Sequence, residues 1–200
     1  PNGKNILLDA TEKYAAPNTL PYRVLNWNGR EIKKDGQSDW VSLTPTNHAK
    51  ESNLLHLKID DLGEISGVYR KTLKGHPAMF YRIKNNVKEE EEVIASLEEK
   101  HNIEIESFKV INEESVLKPL TQTLKFSGED FIEELNGKLY FSPLFFLATK
   151  ENPFKSEERN FPVDYGMPWV DNFSISISLP EGYTVEHLPE TLAIGLPDNL

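Results

Sequence analysis

Apolar and polar positions change period several times along this chain, and each change marks an element. "FSISISL" is the strictest case: Phe173, Ile175, Ile177 and Leu179 fall on one side, Ser174, Ser176 and Ser178 on the other. Successive side chains of a strand point to opposite faces, so this stretch predicts one buried and one wet face, as in an antiparallel sheet. Pro180-Glu181-Gly182 breaks it, and "YTVEHLP" reads as the return strand. "LLHLKID" alternates in the same way, with Leu55, Leu57 and Ile59 against His56, Lys58 and Asp60. The turn "DDLG" and then "EISGVYRK" complete a predicted hairpin.

The period lengthens after residue 75. Gly75 and Pro77 mark a helix start with "AMFYRIKN" as its body, since proline in the first turn lacks only an N–H that would be unpaired there. Residues 87–100 predict a second helix, with Val87, Ile94 and Leu97 on one face. Beyond residue 102 the strand period returns. In "IEIESFKVI" the apolar side switches between Ile105 and Phe108, which predicts a bulge near Glu106-Ser107. "TQTLKFSG" and "GKLYFSP" are further strands. Residues 142–171 carry four prolines and many aromatics, and predict an ordered but irregular stretch.

Towards the N-terminus, residues 5–10 open with Ile6-Leu7-Leu8 and read as a short buried strand ending on Asp9. Pro17, Asn18 and Pro21 punctuate a loop. Asn28-Gly29 sits between "YRVLNW" and "REIKK" and predicts a hairpin turn there; "DWVSLTP" follows Asp35-Gly36 as another strand. The pattern sums to an α+β chain, predominantly antiparallel β and sandwich-like, with a helical insertion near 75–100.

Composition narrows the chemistry. Two hundred residues with 3 Trp, 7 Tyr and 10 Phe suffice for a packed core. A net charge of -10 disfavours phosphate backbones and anionic lipid headgroups, so neither nucleic acid nor membrane is an expected partner. The chain has no cysteine, which removes thiolate metal sites and any cysteine nucleophile of its own. Its five histidines, His48, His56, His76, His101 and His187, show no metal-ligand spacing, and neither a metal nor a cofactor is expected. The acidic run "KEEEEVIASLEEK" reads as a solvated helix face, and "DGQSD" as a polar turn. Asn172-Phe173-Ser174 matches a glycosylation sequon at the start of a strand.

Asp9 has two readings. It is a turn residue whose carboxylate bonds nearby backbone N–H groups, or it is the acid of a nucleophile–base–acid triad, which fixes the tautomer of a histidine. Leu8-Asp9-Ala10-Thr11 with the Leu20-Pro21 that follows resembles the end of a transglutaminase-like catalytic core. "LPYRVLNWNGREI", "SDWVSLTP", "GHPAMFYR", "NPFKSEERNFPVDYG" and "ISLPEGYTVEHLPE" extend the resemblance to multi-domain bacterial members of Bacteroidetes type.

The resemblance implies that residues 1–45 are the C-terminal end of such a core. Residues 46–200 would be a β-rich accessory domain of unknown function that braces the core or shapes its substrate cleft. Asp9 would be the third member of a Cys-His-Asp triad, with the other two upstream of residue 1. The parent would be an acyltransferase or cysteine protease acting on a protein or peptide, exported or periplasmic. The isolated chain is then inactive, and its partner is its own upstream core. The competing expectation is a stand-alone β-sandwich binding module in which residues 5–10 join the sheet of "FSISISL". The enzyme reading expects residues 1–45 to pack poorly without their core.

Overall fold

The computed structural model describes residues 5–158 and 160–195. The fold is α+β and β-rich, built on a five-stranded sheet of order β5-β6-β4-β3-β9. Its strands are β3 (Ala49–Ile59), β4 (Ile65–Lys74), β5 (Glu104–Ile111), β6 (Leu120–Gly128) and β9 (Trp169–Ser178). Strands β3 and β4 pair antiparallel as the alternation predicts, with Ile59 opposite Ile65 across the Asp60 turn. Asp60 Oδ1 accepts from the N–H groups of Leu62 and Glu64, which closes that turn locally.

One face of the sheet is dry. Leu55, Leu57, Ile59, Ile65, Tyr69, Leu124 and Phe126 form the core there, joined by Ile103 and Phe145. The other face carries Lys50, Ser52, His56, Lys58, Arg70 and Lys125, all exposed. Helix α1 (His76–Asn85) follows β4 directly and packs on β3 and β4, while α2 (Glu90–His101) packs on β5. Gly75 enters α1 at φ 74, a conformation glycine adopts without strain. Helix α2 starts three residues later than the pattern suggests: Val87 is solvent-exposed, and Val93, Ile94 and Leu97 make the inward face. Its acids Glu90, Glu91 and Glu92 lie in the first turn, where negative charge suits the helix dipole.

The register between β5 and β6 shifts between Ile105 and Ser107, so the predicted bulge is present at Glu106. Within 142–171 the aromatics divide. Phe145 and Phe146 enter the core, Phe146 edge-on to Tyr69 and Phe126 at ring distances of 5.7 and 5.2 Å. Phe154, Phe161, Tyr165 and Trp169 stay exposed.

Four expectations are corrected. Residues 5–9 form no strand; Leu7 N–H donates to the Asn18 side chain at 2.9 Å and Leu7 carbonyl accepts from Asn18 N–H, a local closure that leaves no ladder. Asn28-Gly29 is not a turn but the start of β1 (Asn28–Ile32). The hairpin to β2 (Ser38–Ser42) closes instead at Asp35-Gly36, where Gly36 has φ 82. Strand β9 pairs with β3 in parallel, not antiparallel, a direction that the long connection between them permits and an alternating pattern does not specify. Finally, "YTVEHLP" makes no strand; its Glu186 forms an exposed ion pair at 2.7 Å with Lys138 of the small β7 (Glu133–Leu135)–β8 (Lys138–Tyr140) hairpin.

At Gly67 a Cβ would collide with the His56 carbonyl oxygen and lie 2.8 Å from Leu57 Cα, both backbone atoms. Gly67→Ala is therefore expected to destabilise the chain by about 1–3 kcal/mol, read as a lowered denaturant midpoint.

Candidate functional site

Asp9 is the first residue of a local turn in the N-terminal segment, and its side chain is largely covered, at 14% exposure. Its Oδ1 accepts from Thr11 N–H at 2.8 Å and from Thr11 Oγ1 at 2.6 Å. Its Oδ2 meets Arg23 Nη2 at 2.9 Å, and the same guanidinium donates to Thr11 Oγ1. The two Thr11 bonds, helped by the Arg23 charge, hold the Asp9 carboxyl below the usual carboxylate range. Asp9 is thus an ionised, oriented carboxylate, and the geometry found is that of the turn reading. Thr11 belongs to the Leu8-Asp9-Ala10-Thr11 stretch, but a bonding role for Thr11 or Arg23 is not among the sequence-based expectations. Asp-x-Thr is a legible side-chain turn signature, whereas nothing local marks Arg23 as a partner.

The segment carrying Asp9 is tethered through residues 20–26. Leu20 and Leu25 are buried. The Leu20 carbonyl lies 2.9 Å from His76 Nε2, at the start of α1. Tyr22 hydroxyl donates to the Asp164 carbonyl at 3.2 Å, and Asn26 Nδ2 donates to the Gly166 carbonyl at 3.0 Å. Gly166 has φ 77, and a Cβ there would strike the Tyr22 ring, so only glycine admits this docking. A cleft of about 210 Å³ opens beside the tether, lined by Leu7, Asn18, Leu20, Val41, Thr46 and His76 among others. Asp9 is not part of its lining. His76 is buried, its pKa lowered by that burial and opposed by the Leu20 bond, so it is a satisfied core histidine.

The remainder of residues 5–45 is poorly covered. Ile6, Leu8, Trp27, Ile32 and Trp40 are each more than half exposed, from 58% for Ile6 to 71% for Leu8 and Trp27. On the β1–β2 hairpin Arg30 lies over the Trp40 ring, 4.8 Å from its centroid, on the face shared with Ile32.

A second polar group lies on the dry side of the large sheet. Tyr69 hydroxyl donates to Asn53 Oδ1 at 2.5 Å, and Lys71 pairs with Glu51 at 2.6 Å. Burial, with Glu51 close by, raises the Tyr69 pKa and also that of Asp171, which stands opposite Glu51 on β9. Burial beside Lys71 lowers that of Lys100. Glu51 and Lys71 are half-buried while Asp171 and Lys100 are exposed, and the charges of the two acids and two lysines offset one another.

The remaining candidates resolve simply. His48, His56 and His187 are exposed, and no three His, Asp or Glu residues gather as a metal site among the described residues. Asp35 Oδ1 accepts from Gln37 N–H, so "DGQSD" is a polar turn. Asn172 is exposed on β9. No described helix is long and apolar enough to cross a membrane.

One family model matches. Residues 137–197 match a domain of unknown function with a solved structure, DUF3858. The chain therefore carries a domain of unknown function in its C-terminal part, within the segment expected to be accessory. No curated protein and no solved structure matches the chain. The matched segment is not self-sufficient here: β8 pairs with β7 and β9 pairs with β3, and both partners lie before residue 137.

His101 supplies a pH handle on the fold. Its ring tilts against Phe146 at 5.1 Å, and its Nδ1 has no hydrogen-bond partner among the described residues. Burial, then Lys100, pulls its pKa down to about 4 from 6.5. Between those values the unfolded chain binds a proton that the folded chain refuses, so stability falls as pH drops through that window. The expected loss is on the order of 1–2 kcal/mol after solvent screening. His101→Gln should flatten the urea midpoint between about pH 6.5 and pH 4. At the candidate acid, Thr11→Ala should raise the Asp9 pKa toward its ordinary value, as a carboxyl-carbon NMR titration would read.

Proposed function

We propose that the chain is the non-catalytic C-terminal part of a transglutaminase-like enzyme. Residues 1–45 are the end of its core, and residues 46–200 an accessory domain that braces it. What carries this reading is the imbalance within residues 5–45. Residues 20–26 are firmly docked, while Ile6, Leu8, Trp27, Ile32 and Trp40 stand in solvent. Large apolar side chains exposed together mark a surface that another folded unit covers. An upstream core is the partner that would cover them.

In this reading Asp9 orients an imidazole supplied from upstream and stabilises its charged form. The lowered pKa suits that role, since the carboxylate stays ionised across the working pH range. Thr11 fixes its rotamer, and Arg23 occupies the oxygen that an imidazole N–H would share. The nucleophile is a thiolate outside this chain, which has no cysteine.

A second reading is a stand-alone interaction module. Phe154, Phe161 and Tyr165, exposed in the irregular stretch, and Trp169, exposed at the start of β9, favour it. Residues 5–10 form no strand, so the pairing with the sheet of "FSISISL" that this second reading expects is not found.

The chain alone is expected to give no glutamine-donor transfer and no peptide hydrolysis. A longer polypeptide, extended upstream to include a cysteine and a histidine, should turn over and lose about 10⁴-fold in kcat on Asp9→Ala. Turnover by the present chain, or a longer enzyme indifferent to Asp9→Ala, would sink the proposal.

A further inference from the structure

The two edges of the large sheet are treated differently. Edge strand β5 is broken by the bulge at Glu106 and bears exposed Glu104, Glu106 and Lys109, which are the usual protections against strand addition. Edge strand β9 is less protected. It runs ten residues in unbroken register with β3, holds no proline, and carries one charged residue, Asp171. The Ala49 N–H donates to the Pro168 carbonyl at 2.8 Å, which fixes the phase of this parallel ladder. Even-numbered residues of β9 then bond to β3, and the N–H and C=O groups of odd residues 169–177 point away from it. No strand pairs with that side among the described residues.

We propose that this open edge of β9 pairs antiparallel with the same edge of a second copy, about a two-fold axis through Phe173. The register is fixed by the faces. An axis perpendicular to the sheet keeps both dry faces on one side and sets Phe173 against its mate, Asp171 against Ile175, and Trp169 against Ile177. Every outward backbone group in the span then finds a partner. Phe173, 48% exposed in the monomer, covers its copy, and Trp169, 50% exposed, meets Ile177 of the other chain.

Charge and area both point to a second copy as the occupant. The two Asp171 side chains stand roughly 14 Å apart along the pairing, beyond a screening length of about 8–10 Å. The strand is thus nearly neutral within a chain of net charge -10. An edge about 33 Å long and roughly 10 Å wide, with two half-exposed rings of about 150–250 Å² each, buries on the order of 1,000 Å² in total. That is the size of a weak, reversible contact. This inference is independent of the enzyme reading.

Sedimentation equilibrium of the chain over a range of concentration tests it. The expected result is a reversible monomer–dimer equilibrium that strengthens with salt, because salt screens the net repulsion between copies. Phe173→Glu and Phe173→Lys each place like charges on the axis and should weaken dimerisation about tenfold or more, with unchanged far-UV circular dichroism. An equimolar mixture of the two should recover a heterodimer, which a merely misfolded variant would not do. A wild-type chain that stays monomeric at its highest concentration, a variant that dimerises like wild type, or a mixture that stays monomeric overturns the proposal.

Discussion

Strand β3 is bonded along both of its edges, to β4 antiparallel and to β9 parallel, and its Leu55 and Ile59 are fully buried. The other strands of the large sheet and α1 are placed by reference to it. Its polar side faces water, so the second layer must lie on the other side, where α1 crosses it and Phe145 and Phe146 close the core. The same strand supplies Asn53 and Glu51 to the polar network under α2. Because burial and hydrogen bonding act on one strand, the C-terminal β9 and the early β3 become neighbours although more than a hundred positions separate them in sequence.

That arrangement explains why the DUF3858 segment does not stand apart. Its longest strand takes its hydrogen bonds from β3, and its small hairpin takes them from β7. A domain boundary drawn from sequence similarity and the boundary of a hydrogen-bonded unit therefore fall in different places here. By contrast, the N-terminal segment touches the rest chiefly through side-chain and carbonyl contacts around Tyr22, Asn26 and His76. It shares no sheet with β3. A tether of this kind holds position without closing an apolar core, which is why so many large side chains of residues 5–45 remain wet.

The Asp9 cluster illustrates how far local chemistry reaches. Asp9 and Thr11 are two residues apart, and their bonds follow from that spacing alone. Arg23 arrives because the loop between them folds back over residues 12–22. The result is a charged, oriented acid whose role depends on what lies near it, and that is supplied by tertiary contacts rather than by the motif.

What the sequence determined by itself was local and periodic: the β3–β4 hairpin, the entry into α1 at Gly75, the bulge at Glu106, and the split of "SISIS" into two faces. Each follows from side-chain period or from the backbone preference of one residue type, and neither depends on distant partners. Only the tertiary structure decided that β9 runs parallel to β3, that residues 5–10 form no strand, with Leu7 closing on Asn18, and that 183–190 join no sheet. An apolar run or an alternating strand states which side is to be buried, but not against which neighbour or in which direction. Those choices rest on long-range pairing, where the competing partners differ little in local energy and the packing of the whole core selects among them.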